Sequence, residues 1–253
     1  MKIMSFNIRC GDVGNETWED RIGIVCQTIL ESDADSIGIQ EATPCWMEAL
    51  NKNLSHKYAF VGVGRDDGKN EGEYSAVFYL KEKYEVLGSD TFWLSETPHE
   101  VSFGWDSVCR RVCTWVHLKD KATGKEYVHI NTHFDHIGVV ARRNSVEMIV
   151  EHSKKFVDVP VVFTADMNVV EGTENYNQFV NSGVFSDTKT SAPDTMDYCT
   201  YHDTKPEEHE KEVIDYVMIN EGFKALKYVV MTEGIDGRFV SDHYPIYAEI
   251  DYK

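Results

Sequence analysis

Apolar positions along this chain recur in two rhythms, and the change from one to the other predicts its elements. Lys2 to Ile8 and Ser36 to Gln40 are short, nearly continuous apolar runs of the kind that buried strands carry. Between them Trp18, Ile22, Val25, Ile29 and Leu30 keep helical spacing, so the chain opens β-α-β. A second helix is expected over Cys45 to Asn53. Strands are expected at Tyr58 to Val63, Ser75 to Leu80, Tyr84 to Phe92, Val112 to Leu118 and Tyr127 to Thr132, a succession that reads as antiparallel. Val146, Ile149, Val150 and Phe156 mark a helix from Val140 to Phe156, which leads through Pro160 into the run PVVFTADMN. Helix returns around Tyr176 to Val180. After a polar loop from His202 to Lys211, the last strands are expected at Val213 to Ile219, Lys227 to Thr232 and Tyr244 to Ile250. Two β-rich halves with helices on their outer faces predict an α/β fold of stacked sheets.

Several of these strands finish in a residue able to bind a cation or a phosphate. Asn7 follows IMSF, Glu41 follows SIGIQ, His133 follows VHINT, and Asp166 and Asn168 follow VVFT. Asp215 lies inside EVIDYVMI, where a buried charge requires a partner, and Asp242 and His243 precede YPIYAEI. Strand residues two apart share a face, so Asp166 and Asn168 are expected to project together. Taken singly, each residue has a plain structural explanation. Asn7, Asp166, Asn168 and Asp242 suit turns, Glu41 suits the start of the helix after Pro44, and His133 and His136 suit a polar loop. Capping does not explain their joint recurrence, because strand ends gathered on one rim of a sheet are where α/β folds bind ligands.

Carboxylates, amides and imidazoles together suit a hard cation such as Mg²⁺ or Mn²⁺, with the histidines facing phosphate charge. A zinc site built from His133, His136, His202 and His209 is the rival, and it lacks the HExxH or CxxC spacing of such sites. Neither GxSxG nor GxxxxGK[ST] is present, which argues against a serine-hydrolase elbow and a P-loop.

Bulk composition narrows the picture further. At 253 residues and 42% hydrophobic content the chain is long enough for one large core, and no Gly/Ser-rich, low-complexity or repeated segment marks a linker, so a single domain over 1–253 is expected. A formal net charge of -18 disfavours long polyanions unless a local basic groove overrides it, although acidity also serves plain solubility. The six cysteines contain no CxxC pair, which reads as reduced thiols in a cytoplasmic protein. No apolar run approaches the ~18 residues that span a bilayer, and the N-terminus opens as a strand. Neither membrane insertion nor a signal peptide is expected, although a trimmed secreted chain would read the same. A monomer without an obligate protein partner is the simplest expectation.

The segments MSFNIR, IGIQEA, GRDDGKNEGEYSAVFY, FWLSETP, RVCTW, NTHFDHIG, TADMN, IDYVMI and SDHYPI, in that order, resemble the endonuclease/exonuclease/phosphatase superfamily of metal-dependent phosphoesterases over essentially the whole chain. The resemblance implies a DNase-like, four-layer α/β sandwich: two central, mainly antiparallel sheets flanked by helices, with the active site on the rim where the sheets meet. It implies that Glu41 is the principal Mg²⁺ (or Mn²⁺) ligand, with Asn7 and Asp242 nearby and acting partly through water. Asp166 would orient or deprotonate the attacking water, and Asn168 would hold that water or a phosphate oxygen. His243, positioned by Asp215, and His133 would stabilise charge as a phosphorane-like transition state forms. Arg111 in RVCTW matches a basic position used near the phosphate, with a structural ion pair as the alternative. Arg65 and Glu73 border a polar loop able to reach substrate. Arg65, Trp93, His136 and His202 are candidates for shaping the substrate pocket, as is Tyr201. Arg142 and Arg143 read as surface or packing residues.

Two departures matter. Arg9 stands where exonuclease-III-type and abasic-site nucleases usually carry an acid, and His133 stands where they have Tyr. This moves the expectation from DNA repair toward the deadenylase-like, sphingomyelinase-like and pancreatic-deoxyribonuclease-like branches, although no clear apolar membrane-binding loop of the sphingomyelinase kind is evident.

The expected function is hydrolysis of a phosphate ester, a diester before a monoester, on a small or single-stranded substrate. A nuclease or 3′ exoribonuclease needs a basic, aromatic-lined groove that this composition does not advertise. Inositol-phosphate and lipid-headgroup esters are further alternatives. A catalytically silent binding module is the alternative of another class. Against it, Asn7, Glu41, His133, Asp166, Asn168, Asp215, Asp242 and His243 are all chemically competent.

Overall fold

The structure, a computed structural model, describes residues 1–209 and 212–253. In chain order its elements are β1 (Lys2–Asn7), α1 (Trp18–Ser32), β2 (Ser36–Ala42), α2 (Pro44–Leu54), β3 (Tyr58–Val61), β4 (Tyr74–Leu80), β5 (Tyr84–Trp93), β6 (Val112–Asp120) and β7 (Glu126–His133). There follow α3 (Val139–Ser153), β8 (Val161–Asp166), α4 (Glu174–Val180), β9 (Ser186–Asp187), α5 (Thr188–Ser191), β10 (Asp194–Thr195), β11 (Asp215–Ile219), β12 (Phe223–Val230) and β13 (Ile246–Tyr252). The loop expected from His202 to Lys211 contains a 3-10 turn at Pro206–Glu208, and its last two positions lie outside the described residues. The short elements β9, α5 and β10 carry too few residues for a periodicity to announce them.

One sheet orders seven strands as β10-β12-β13-β1-β2-β4-β3, and the other orders six as β5-β6-β7-β8-β11-β9. Both are mixed. Antiparallel pairs predominate, with β1–β2, β10–β12 and β7–β8 parallel. Strand alternation explains how the sheets stack. On β1, Met4 and Phe6 face Val25, Ile29, Trp46 and Leu50 of α1 and α2, whereas Ile3 faces the other sheet among Val116, Leu118 and Val162. On β8, Val161, Phe163 and Ala165 face Val146, Ile149 and Phe179 of α3 and α4, whereas Val162 faces inward. The layers are therefore helix, sheet, sheet, helix, the four-layer sandwich expected.

The same alternation turns Asn7, His133, Asp166 and Asp215 to the face between the sheets. Asp215 opens β11 directly opposite Asp166 at the end of β8, and His133 at the end of β7 is in register with the same Asp166. Polar side chains thus converge on one rim.

Beneath that rim the apolar packing gives way to a hydrogen-bonded polar layer. Ser36 meets His129 Nδ1 (2.8 Å), His129 Nε2 meets Thr164 (2.8 Å), and Thr164 Oγ1 (3.0 Å) and Gln40 Nε2 (2.7 Å) both donate to Asn131 Oδ1. Burial lowers His129 to about 3, so it stays neutral. Gly38 is required beside this layer, since a Cβ there would lie 2.0 Å from Thr164 Oγ1 and 2.4 Å from Asn131 Oδ1. The β2–β4 register shifts between Ile39 and Ala42, and Glu41 takes φ 63°. This bulge lets Gln40 point between the sheets while Glu41 reaches the rim.

Candidate active site

A cleft of about 520 Å³ opens at the rim. Of the residues singled out from sequence, Glu41, Arg65, Arg111, His133, His136, Asp166, Asn168, Asp242 and His243 line it, and so does Tyr201. Asn7 and Asp215 lie just beneath. Trp93 and His202, expected at the substrate, do not line the cleft. Trp93 is a prop: its Nε1 donates to the Arg65 carbonyl (2.8 Å), and its ring lies under Gly68, where a Cβ would come within 2.9 Å. His202 is fully buried between the rings of Phe239 (4.6 Å) and Tyr244 (4.1 Å), and burial lowers it to about 4. Its ring fills apolar space behind Asp242 and His243, which removes it from contact with a ligand.

The floor is built around the Asn7 amide. Its Nδ2 donates to Glu41 Oε1 (3.1 Å) and to Asp166 Oδ2 (2.8 Å), while its Oδ1 accepts from the Arg9 N–H (3.0 Å). Asn7 therefore bridges two carboxylates from below. Glu41 Oε2 also accepts from the Cys10 N–H (2.9 Å). Burial works against charge on Glu41, yet attraction to His133 and the hydrogen bonds from Cys10 and Asn7 hold its carboxyl well below the usual range. His133 is itself kept neutral by burial and by nearby Arg111, so we take the hydrogen bonds as the operative cause.

Asp166 and Asn168 meet by a turn rather than by strand alternation. β8 ends at Asp166, the Asn168 N–H donates back to Asp166 Oδ1 (2.9 Å), and Asn168 takes φ 48°, a left-handed conformation that Asn tolerates. The Asn168 amide then reaches the Phe134 carbonyl (3.0 Å) and His133 Nε2 (2.9 Å), so Nε2 accepts and the neutral His133 ring carries its proton on Nδ1.

Opposite lies a charged histidine. His243 Nδ1 meets Asp215 Oδ2 at 2.8 Å, and its Nε2 lies 3.8 Å from Asp166 Oδ2. Burial would lower this imidazole, but Asp215, followed by Asp166 and Asp242, raises it to about 10. Burial and the neighbouring Asp215 raise the Asp166 carboxyl, against the pull of His243 and two hydrogen bonds. Asp166, Asp215 and His243 form a group tight enough to suggest a metal site, but Asp215 Oδ2 and His243 Nδ1 are already committed to each other and Asp166 Oδ2 to Asn7.

The walls carry guanidinium groups. Arg65 forks onto Glu73 with two bonds (2.7 and 2.9 Å), and Arg111 Nη1 lies 3.8 Å from the same carboxylate. Arg9 Nε lies 3.6 Å from Asp242 Oδ2. Arg21 is wholly buried with no mark in the sequence. It donates to the carbonyls of Ile8 (2.8 Å), Arg9 (2.8 Å), Gly11 (2.5 Å) and Val240 (3.0 Å), tying the loop after β1 to the segment that brings in Asp242. Cys10, Cys109, Val170, Glu212 and Ile214 also line the cleft and went unpredicted. Chain proximity to a strand-end candidate, as for Cys10 and Ile214, was their one signal.

These residues fit a hard divalent cation. The lining acids are Glu41, Glu73, Asp166, Glu212 and Asp242, against Arg9, Arg65, Arg111 and the His243 imidazolium. An incoming phosphate would add negative charge to a cleft already balanced toward acid, which a cation beside Glu41 and Asp242 would relieve. The donors there are oxygens. Cys10 is no competitor, because burial and Glu41 raise its thiol to about 12 and keep it protonated.

Two mixed sheets packed between helices, with a polar cleft on their common rim, define the DNase-like four-layer class. An endonuclease/exonuclease/phosphatase family protein from Bacteroides vulgatus superposes with a TM-score of 0.93 and 38% identity, over 100% of this chain and 98% of that one. A mannosyl-6-phosphatase of Bacteroides thetaiotaomicron superposes with a TM-score of 0.93 and 32% identity over 100% of both chains. The chain belongs to the endonuclease/exonuclease/phosphatase family. The catalytic domain of human nocturnin shares the fold, with a TM-score of 0.77 at 16% identity over 100% of this chain and 94% of that one. No protein-family model and no curated protein matches the sequence.

Proposed function

We propose that this protein is a divalent-metal-dependent hydrolase of small phosphate esters. The observation that carries the reading is the Asn7 bridge, which holds an ionised Glu41 and a basic Asp166 side by side under a charged His243. Glu41 and Asp242 would hold Mg²⁺ or Mn²⁺, with Asn7 supporting Glu41 from below. When bound, the ion would polarise the phosphoryl oxygen and stabilise the departing one, a contribution of several kcal/mol in such sites.

The chain's own residues would do the rest. Asp166, its carboxyl raised and both oxygens fixed by Asn7 and Asn168, takes the proton of the attacking water, a step worth ~10² to 10⁴ in rate. The Asn168 amide steadies that water or a phosphate oxygen. The His243 imidazolium, kept charged by Asp215, faces the negative charge that grows on the phosphoryl oxygens. Arg111 orients the phosphate from the wall, and Arg65, forked onto Glu73, adds positive charge beside it.

Between the diester expected from sequence and a monoester, we favour the monoester. A monoester phosphate carries about -1.5 to -2 charges near neutral pH, and with a divalent cation offsetting the lining acids, the guanidinium groups and the His243 imidazolium suit that charge better than the single charge of a diester. The full-length likeness to a mannosyl-6-phosphatase supports the same choice. Tyr201 is the one Phe, Tyr or Trp among the described residues lining the cleft, a poor stacking platform for single-stranded nucleic acid.

The test is hydrolysis of a panel of sugar phosphates, inositol phosphates, nucleotides, diesters and single-stranded RNA and DNA, with Mg²⁺ or Mn²⁺ and with chelator. Thermal unfolding with and without Mg²⁺ is measured alongside. Chelator should abolish turnover, and Mg²⁺ should raise the midpoint of the wild type but not of Glu41→Gln. Metal-independent turnover, or an equal Mg²⁺ shift in Glu41→Gln, would refute the reading.

A further inference from the structure

One wall of the cleft is made by two segments that exchange carboxylates. Residues 104–111 carry Cys109 and Arg111, and residues 134–138 carry His136. Asp135 in the second segment is 2% exposed. Its Oδ2 accepts from the N–H groups of Val108 (3.1 Å) and Cys109 (3.0 Å) in the first, and its Oδ1 accepts from Ile137 (3.0 Å) and Gly138 (2.7 Å) in its own. Asp106 in the first segment reaches the other way. Its carboxylate accepts from Val140 (3.1 Å) and Ala141 (2.7 Å) at the start of α3, where the N-cap Gly138 has no side chain to offer. Each segment thus supplies an anion for N–H groups that the other leaves unpaired.

Arg111 sits beside this double staple. Its Nε lies 3.9 Å from Asp135 Oδ2, its Nη2 3.3 Å from His136 Nδ1, and its Nη1 3.8 Å from Glu73 Oε2. The Nε is buried without a hydrogen-bond partner among the described residues. A guanidinium so flanked is held in place on the wall of the cleft, where it can meet an anion without a bidentate carboxylate competing for it. Cys109, Asp135 and His136 also bring a thiol, a carboxylate and an imidazole within 4.8 Å of one another, the spacing of a metal site. Asp135 is a poor ligand there. Four N–H donors already fill its two oxygens, about the capacity of a carboxylate, and Arg111 sets a positive charge alongside.

We infer that Asp135 is a positioning residue rather than a metal ligand: it holds Arg111 and the backbones of Cys109 and His136 in the geometry that receives a phosphate group. The inference rests on the phosphoesterase reading only in taking phosphate as the anion. Asp135→Asn keeps the shape but turns an N–H₂ toward backbone N–H groups that need an acceptor.

The test is a double-variant cycle read by calorimetric binding of inorganic phosphate to the wild type, Asp135→Asn, Arg111→Ala and the double variant. Each single variant should weaken phosphate binding about tenfold or more, and the double variant should bind no more weakly than Arg111→Ala. On a hydrolysed ester, Asp135→Asn should raise KM more than it lowers kcat, and Zn²⁺ should shift the thermal midpoint of wild type and variant alike. Should Asp135→Asn fail to fold, the exposed Asp106→Asn takes its place in the cycle, with a loss of about two- to fivefold.

Additive losses, unchanged phosphate affinity in either single variant, or a Zn²⁺ shift confined to the wild type would overturn the inference. A wild type that binds phosphate but hydrolyses no ester defeats the phosphoesterase reading alone, and the cycle still decides the role of Asp135. A wild type that binds no phosphate defeats both.

Discussion

Asp215→Asn isolates the charge on His243 from everything else in the cleft. Asp215 is 1% exposed, its Oδ2 stands 2.8 Å from His243 Nδ1, and its Oδ1 has no hydrogen-bond partner among the described residues. The pair is thus a buried ion pair with little outside support, and breaking such a pair costs about 3–5 kcal/mol. The isosteric amide keeps the packing and removes the charge. Burial then faces only the weaker pull of Asp166 and Asp242, so His243 titrates below its wild-type value and loses charge near neutral pH.

The sign of the pH effect follows from the raised folded value. Stability from a raised histidine is fully present below the unfolded value of about 6.5 and is lost as pH rises through about 10. Urea unfolding should therefore show Asp215→Asn less stable than wild type by about 3 kcal/mol near pH 6, with the gap closing toward pH 10. In steady-state assays kcat should fall by ~10² to 10⁴, since the phosphoryl oxygens lose a preorganised positive charge. A stability gap constant across that pH range, or a kcat within about threefold of wild type, would refute the reasoning.

Three further substitutions probe what surrounds the site. Gly38→Ala drives a methyl to 2.0 Å from Thr164 Oγ1 and should destabilise by about 1–3 kcal/mol or more in urea unfolding; a wild-type midpoint would contradict so close an approach of the sheets. Arg21→Met fills similar space but strands four carbonyls at about 1–3 kcal/mol each, so both the thermal midpoint and kcat should drop, and a kcat unchanged at permissive temperature would separate Arg21 from the placing of Asn7 and Asp242. Trp93→Phe removes the N–H given to the Arg65 carbonyl, about 1 kcal/mol, and should raise KM several-fold with kcat nearly kept; an unchanged KM would detach Trp93 from the Arg65 loop.

The chain by itself determined the longer strands and their polar ends, because period-two alternation and a polar residue at the close of an apolar run are local facts, and its ordered motifs carried the resemblance to the family. Asn7, Glu41, His133, Asp166, Asp215, Asp242 and His243 were legible for that reason. What the tertiary structure decided was how they meet. Asn7 and Asp166 stand 159 residues apart and share a hydrogen bond because both strands end on one rim, and no local pattern encodes that contact. Glu41 reaches the rim through a bulge, a register event between two strands rather than a property of either. Arg21, Trp93, His202 and Asp135 show the same limit from the other side. Each is a polar or aromatic residue whose type suits a ligand as well as a scaffold, and its role follows from which distant carbonyl, ring or N–H group the fold sets against it. Residue chemistry thus told what could be done at the rim, and three-dimensional proximity decided which residues stand in position to do it.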